Sequence, residues 1–364
     1  MTEPDIATGR RHALRVVSAH AGGDVGRVVL GGIGNLPGRT VAGRARFLQE
    51  HADGLRQLLM NPPHGDLSHC ANLVVPPAAA DADVGLIIMG TMGYPGFSGS
   101  NAMCTAAALV ETGERPMEEG RRPLALETPD GVSTLSVTYR SGRVESVAYD
   151  SLPGFVMAGD GEVVLEAWGT VRYSLAYGGT FYALIDATGI ALDPATTQVA
   201  VLKRFFEAFF TATAPGLKVR HPEHGPVQRV TLALLVGTTE WESVDTLGVP
   251  VAAYMDPGVI CRSPTGTGTT ALLAWLAARG AIASSMSVRT RSPFGSEFLG
   301  TLTGFTTVAD RAAVRTQISG RPHLLSDARV IVDLDDPLIA DNGLSRILLA
   351  PVHAVGGANA QRPA

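Results

Sequence analysis

Charge is scarce in this sequence. Asp, Glu, Lys and Arg make up only 17% of its 364 residues, and the net charge is −5. A chain without a basic surplus offers no patch for nucleic acid. Cysteine is scarcer still. Cys70, Cys104 and Cys261 are the only three, an odd and widely spaced set that builds no disulfide framework and fits a reducing compartment. Long apolar runs are missing too: none approaches the ~18 residues that a membrane helix requires. Met1–Arg15 is polar and lacks the apolar centre of a secretory signal, so a soluble cytoplasmic protein is expected. Disorder is excluded in turn, because 45% of the residues are hydrophobic. That is ample core material, and the length allows two domains of ordinary size.

What is present is a design used twice. Cys261-Arg262-Ser263-Pro264-Thr265-Gly266-Thr267-Gly268-Thr269-Thr270 reads as a tight loop that runs into the apolar helix Ala271–Arg279. Ser263-Pro264 stops the preceding segment, Thr269 and Thr270 are candidate N-caps, and Gly280 ends the helix. A helix with so little polar surface is a buried one. Its N-terminus, with free N–H groups and partial positive charge, suits a carboxylate or phosphate. Ser98-Gly99-Ser100-Asn101 leads in the same way into Ala102–Thr112 and stops at Gly113. Fifteen positions separate Ser98 from Gly113 and fifteen separate Thr265 from Gly280, which points to an ancient duplication. Two such helices aimed at one cleft would give it two facing hydroxyls and two sets of N–H donors.

The remainder is strand-rich. Leu14–Val17, Arg27–Leu30, Asn72–Pro76 and Val84–Met89 read as short strands, and Thr40–Met60 as one surface helix. Residues 121–149 and 157–171 alternate as antiparallel hairpins rather than βαβ units, which argues against a doubly wound sheet. Ala176–Asp186 reads as one strand with a close approach or bulge at Gly178-Gly179, and Thr197–Thr211 as a helix. Val230–Val236 is a strand, hairpins return from 285 to 332, and a final strand is expected over 345–356. The fold class is α+β in two halves, 14–165 and 166–340, with the final strand returning to the first half.

Three motifs in order resemble the proline racemase family, which includes 4-hydroxyproline epimerases and trans-3-hydroxy-L-proline dehydratases. They are Met60-Asn61-Pro62-Pro63-His64-Gly65, Tyr94–Asn101 with Leu109-Val110-Glu111-Thr112-Gly113, and Arg262-Ser263-Pro264-Thr265-Gly266-Thr267-Gly268. Weaker echoes are His20–Asp24, Ala176–Gly179 and Ile318–Arg321, so the resemblance spans nearly the whole chain. It implies a two-domain fold like that of diaminopimelate epimerase, each domain a mostly antiparallel sheet wrapped around a central helix. It implies Ser98 and Thr265 as the catalytic pair facing each other across the substrate Cα. Gly99, Ser100, Asn101, Gly266 and Thr267 match the substrate-binding region. The family aspartate that holds the substrate amine falls on Cys261. The amine is then held otherwise, with Asp256 nearby, or the substrate is not a simple imino acid.

The chemistry orders the alternatives. Removing a proton α to a carboxylate needs a base near the carbon and donors for the developing charge. Two helix N-termini supply donors, so no cofactor is expected. Two-base racemisation needs a competent group on each face, and hydroxyls are weak acids. Dehydration needs one proton removed and a hydroxide helped out. The expectation is therefore a lyase that dehydrates trans-3-hydroxy-L-proline or a related imino acid. One alternative is a racemase or 2-epimerase of proline or 4-hydroxyproline; another is a diverged, non-catalytic carboxylate-binding relative. Helix capping alone would also explain Ser98 and Thr265. Cys70 and Cys104 read as small buried residues. His64 with His69, and His221 with His224, lack a third metal ligand, so no metal is expected. The glycine loop lacks the lysine of a nucleotide-binding P-loop. The expected partner is a small imino acid, with a homodimer as a possible assembly and neither nucleic acid nor membrane.

Overall fold

The structure is a computed structural model and describes residues 11–349, apart from residues 92, 214, 215 and 224. Its helices are α1 (Val41–His51), α2 (Gly54–Met60), α3 (Gly99–Glu111), α4 (Val199–Thr213) and α5 (Gly266–Ala278). The two small-residue helices are α3 and α5. Each has 13 residues, and each is followed by a left-handed glycine, Gly113 at φ +78° and Gly280 at φ +68°. A helix apolar on every side must be covered on every side, and strands do this for both. Against α3 lie the strands Arg11–Ala21, Asp24–Gly31, Cys70–Val75, Arg143–Asp150 and Pro322–Asp333. Against α5 lie Gly154–Leu165, Gly169–Tyr177, Phe181–Asp186, Ser287–Arg291, Glu297–Val308 and Arg311–Gly320.

The pairing is mostly antiparallel. Parallel pairs join Asp24–Gly31 to Cys70–Val75, Val84–Met89 to Gly120–Thr128, Phe181–Asp186 to Leu232–Val236, and Thr246–Met255 to Ser287–Arg291. One apolar cluster runs through both helices, including Ala106 and Met103 of α3 and Leu272 and Leu273 of α5. A second, aromatic cluster packs α4 against Tyr254 and Phe155. No helix among the described residues is long and apolar enough to cross a membrane.

A long strand returns to the first half ahead of the expected segment, which itself meets that half where Gly34 N–H donates to Ile347 O at 2.8 Å and Leu349 N–H to Gly32 O at 3.0 Å. Pro322–Asp333 pairs with Arg11–Ala21 along its length, from Ala21↔Pro322 to Arg11↔Asp333. The segment expected as a strand over 345–356 begins instead as a 3-10 turn at Leu344–Arg346, entered through left-handed Gly343. Leu348 makes a single bridge to Ile33, and residues from 350 lie outside the described ones. Thr40–Met60 is two helices rather than one; it exposes Arg46, Gln49, Glu50 and His51 as a surface element does and buries its apolar face. Leu48, Leu55 and Leu59 are fully buried. The break at Ala52-Asp53 brings Gly54 so close to the chain that a Cβ there would lie 2.1 Å from Asp341 O. Ala176–Asp186 is a hairpin: Tyr177 pairs with Phe181 across the Gly178–Thr180 turn. The close approach expected there is real, because a Cβ on Gly178 would lie 2.2 Å from Thr267 O.

Leu273 is fully buried at the centre of this core. Leu273→Ala is expected to lower stability by about 2–5 kcal/mol. A lower urea midpoint with unchanged slope would show it.

Candidate active site

The loop that ends at Ser98 is pinned to α2. Tyr94 Oη donates to Asp53 Oδ1 at 2.9 Å, and Asp53 also accepts from Arg56 Nε and Nη2 at 2.7 and 2.6 Å and from Gln57 Nε2 at 2.9 Å. Burial opposes the Asp53 charge, but these donors outweigh it and hold the carboxyl below its ordinary range. Ser98 is the N-cap residue of α3 in extended geometry, φ −151°, yet its hydroxyl caps nothing. Ser98 Oγ instead accepts from Asn101 Nδ2 at 2.9 Å and lies 3.5 Å from Ser100 Oγ. The Asn101 side chain also reaches the Cys70 thiol. Burial pushes that thiol up, with the Asn101 hydrogen bond pulling the other way.

The second loop is built around a strained residue. Thr265 has φ +59° and ψ 133°, a region that β-branched side chains avoid. Neighbours determine this conformation. Thr265 N–H donates to Ser263 Oγ at 3.1 Å, and Thr265 Oγ1 accepts from Gly268 N at 3.2 Å and from Tyr182 Oη at 3.2 Å. Tyr182 Oη also lies 2.8 Å from Thr267 Oγ1. Burial pushes the Tyr182 phenol up to about 12, so it stays a neutral donor. Asp24 holds the loop from the first hairpin of the chain. Its Oδ1 accepts from the N–H groups of Arg262 and Ser263, each at 3.1 Å, and its Oδ2 accepts from the Ser263 hydroxyl. The N-cap of α5 is therefore Thr265. Thr269 and Thr270 lie inside the helix, where Thr269 Oγ1 donates back to Thr265 O at 2.8 Å.

The two helix starts meet at one oxygen. A Cβ on Gly99 would lie 2.0 Å from Tyr149 Oη, and a Cβ on Gly266 would lie 2.1 Å from the same atom. Tyr149 is 2% exposed, and its hydroxyl has no hydrogen-bond partner among the described residues. Ser98 with Gly99, Ser100 and Asn101 thus comes to the same place as Thr265 with Gly266 and Thr267. Cys261 precedes the second loop, half-buried. Burial and then the charge of Asp24 push its thiol up. Asp256 does not join them. It pairs with Arg229 at 2.7 Å and lines a separate surface pocket with Glu207 and Tyr254. Cys104 is fully buried, while Cys70 is half-buried beside Asn101. His221 is buried among the rings of Phe155 and Tyr177, and His224 lies outside the described residues. Among the described residues no His, Cys, Asp or Glu group is arranged to hold a metal ion.

Sequence reasoning left Asp24, Tyr149, Tyr182 and Ser263 without assigned roles. Only Asp24 and Ser263 carried a signal, as members of family-like motifs.

The profile of the proline racemase family matches residues 16–343. The chain belongs to the proline racemase family. A 4-hydroxyproline 2-epimerase of Allorhizobium ampelinum is 34% identical to it over 333 residues, 90% of this chain and 94% of that one. A protein of Marinobacter nauticus is 36% identical over 335 residues, 92% of this chain and 95% of that one. The crystal structure of a hydroxyproline epimerase from Agrobacterium vitis with bound trans-4-OH-L-proline superposes with a TM-score of 0.77. It is 33% identical and covers 91% of this chain and 95% of that one. Proline racemase family membership gives a sheet-rich mixed α/β fold and an enzymatic lineage.

The Tyr149 contact can be tested by size. Gly266→Ala is expected to destabilise by about 1–3 kcal/mol through overpacking. Adding Tyr149→Phe should restore most of that loss, because the next nearest atom, Tyr149 Cζ, lies 3.4 Å from the new Cβ. Gly99→Ala should not be restored, because its Cβ would still meet Cζ at 2.2 Å. Thermal unfolding of the single and double variants reads the difference.

Proposed function

We propose that this protein moves the Cα proton of a proline-type imino acid, inverting the α-carbon of 4-hydroxyproline or proline. The observation that carries the reading is the convergence of two helix N-termini, each led by a hydroxyl residue, on one point. On this reading Ser98 and Thr265 handle the proton on opposite faces. Gly99, Ser100, Asn101, Gly266 and Thr267 hold the carboxylate, and Cys261 lines the amine side. The two wrapped helices are the centres of two domains, 14–165 and 166–340, in an arrangement like that of diaminopimelate epimerase. The 4-hydroxyproline 2-epimerases among the relatives support inversion as the outcome.

The physical support is electrostatic. Enolate-like charge at the substrate carboxylate is stabilised by N–H donors already aimed at it, with no reorganisation at the moment of reaction. Ser98 Oγ lies at the positive end of α3 and accepts from Asn101, and both features favour negative charge on that oxygen. Thr265 Oγ1 has Tyr182 as a proton-bearing neighbour. A second reading, dehydration of trans-3-hydroxy-L-proline, is favoured by the absence of a thiol at both positions. That reaction needs one base, and the Tyr182–Thr265–Thr267 hydroxyl group would serve a departing hydroxide.

Incubation in heavy water separates the readings. With trans-4-hydroxy-L-proline or L-proline, deuterium at Cα together with the inverted isomer is expected. A pyrroline carboxylate from trans-3-hydroxy-L-proline, without exchange in the other two, would establish the second reading instead. Neither product with any of the three would leave a carboxylate-binding relative without turnover.

A further inference from the structure

A proline-type substrate brings an ammonium next to its carboxylate, and a closed site needs a negative group for it. An unpaired buried charge is strongly unfavourable. Cys261 supplies none, and Asp256 is ion-paired elsewhere. Asp24 is different. It is half-buried, and all three of its hydrogen bonds come from neutral donors: the N–H groups of Arg262 and Ser263 and the Ser263 hydroxyl. It forms no ion pair among the described residues. The guanidinium of Arg262 lies 4.6 Å from the centre of the Phe294 ring; burial pushes the Asp24 carboxyl up, and the three hydrogen bonds and the Arg262 charge pull it back toward its ionised form. A carboxylate offers about four acceptor positions, so one remains open on Oδ2. The Asp24 charge is felt at the Cys261 and Cys70 thiols and at the Tyr182 phenol, so it lies within the same nest of groups. Asp24 is also the only carboxylate hydrogen-bonded to the Arg262–Thr267 loop among the described residues.

We propose that Asp24 is the counter-charge for the substrate ammonium, acting from the first hairpin beside the position that Cys261 leaves neutral. The inference rests on the imino-acid reading above. It makes Asp24 a specificity-determining residue: ligands with a cationic nitrogen gain from it, and ligands with an uncharged nitrogen do not. Its three hydrogen bonds fix the carboxylate where the ammonium arrives, so little is lost in ordering it on binding.

The alternative role is to shape the loop alone, and the two roles separate with a pair of ligands. L-Proline carries the ammonium, while pyrrole-2-carboxylate has the same carboxylate on an uncharged ring. Calorimetric titration of both with native protein and Asp24→Asn is the test. The variant keeps Oδ1 as acceptor for the two loop N–H groups, removes the charge, and turns the Ser263 contact into one in which Nδ2 donates to the hydroxyl oxygen. Proline is expected to bind about tenfold or more weakly to Asp24→Asn, with pyrrole-2-carboxylate changed less than about threefold. An equal loss for both ligands would reduce Asp24 to a loop-shaping residue and leave the imino-acid reading standing. Binding of neither ligand to native protein would overturn both. Should Asp24→Asn fail to fold, Cys261→Asp in the otherwise native chain decides. With Asp24 already supplying the charge, proline affinity should change less than about threefold, and a tightening of about tenfold would show that the ammonium had no partner.

Discussion

How closely two helices can bring their N-termini together decides everything else about this site. At Gly99 and Gly266 the backbone lies against the Tyr149 hydroxyl, where no side chain has room. Glycine there is a consequence of distance and not of backbone conformation, since neither residue has positive φ. An unpartnered buried hydroxyl is unfavourable by about 1–3 kcal/mol. That cost is tolerated where the first turns of α3 and α5 meet, which makes Tyr149 a spacer rather than filler. The strands around α3 and α5 serve this contact. They fix each helix axis so that the two first turns, and the hydroxyls just before them, share one cleft.

The Thr265 loop shows how strain is held. A threonine at φ +59° would relax if left alone, and three side chains from different parts of the chain prevent it. Ser263 takes its N–H, Tyr182 supports its hydroxyl, and Asp24 grips Arg262 and Ser263 just before it. The glycine at 268 belongs to the same device, because a Cβ there would lie 2.3 Å from Thr265 Oγ1. The hydroxyl that caps α5 is thus also the one that Tyr182 Oη reaches. Capping and a role in the site are compatible here. Ser98 differs: it begins α3 without capping it, and its oxygen accepts from Asn101 Nδ2 instead.

Much of this was visible in the residues alone. The paired helices, their glycine stops and the two hydroxyl-led loops are local features, and local features survive in sequence. The helix starts were placed too late because Gly266 and Gly268 argue for a loop by propensity. Close approach by Tyr149 Oη at Gly266 and by Thr265 Oγ1 at Gly268 demands glycine in what is nonetheless the first turn of a helix. Tyr149 and Tyr182 stayed hidden because each sits in a strand whose alternation accounts for a buried aromatic without further meaning. Asp256 looked close because it is near Cys261 along the chain. The carboxylate that reaches the loop comes instead from 239 positions away. Over 345–356 the apolar content argues for a strand, but left-handed Asn342 and Gly343 lead into a 3-10 turn at Leu344–Arg346 first.

The pairing of Arg11–Ala21 with Pro322–Asp333 has a consequence for synthesis. One edge of the first strand waits for residues made more than 300 positions later. Until they leave the ribosome, that edge presents free N–H and C=O groups beside apolar Val16 and Ala19, the kind of surface that pairs with the wrong partner. Asp24 stands at the end of the same hairpin, so its loop too arrives late in translation. Nascent chains of this protein therefore carry an unfinished sheet for most of their synthesis. Maturation should be governed by how fast the last long strand docks, a non-local step that is slow by its nature.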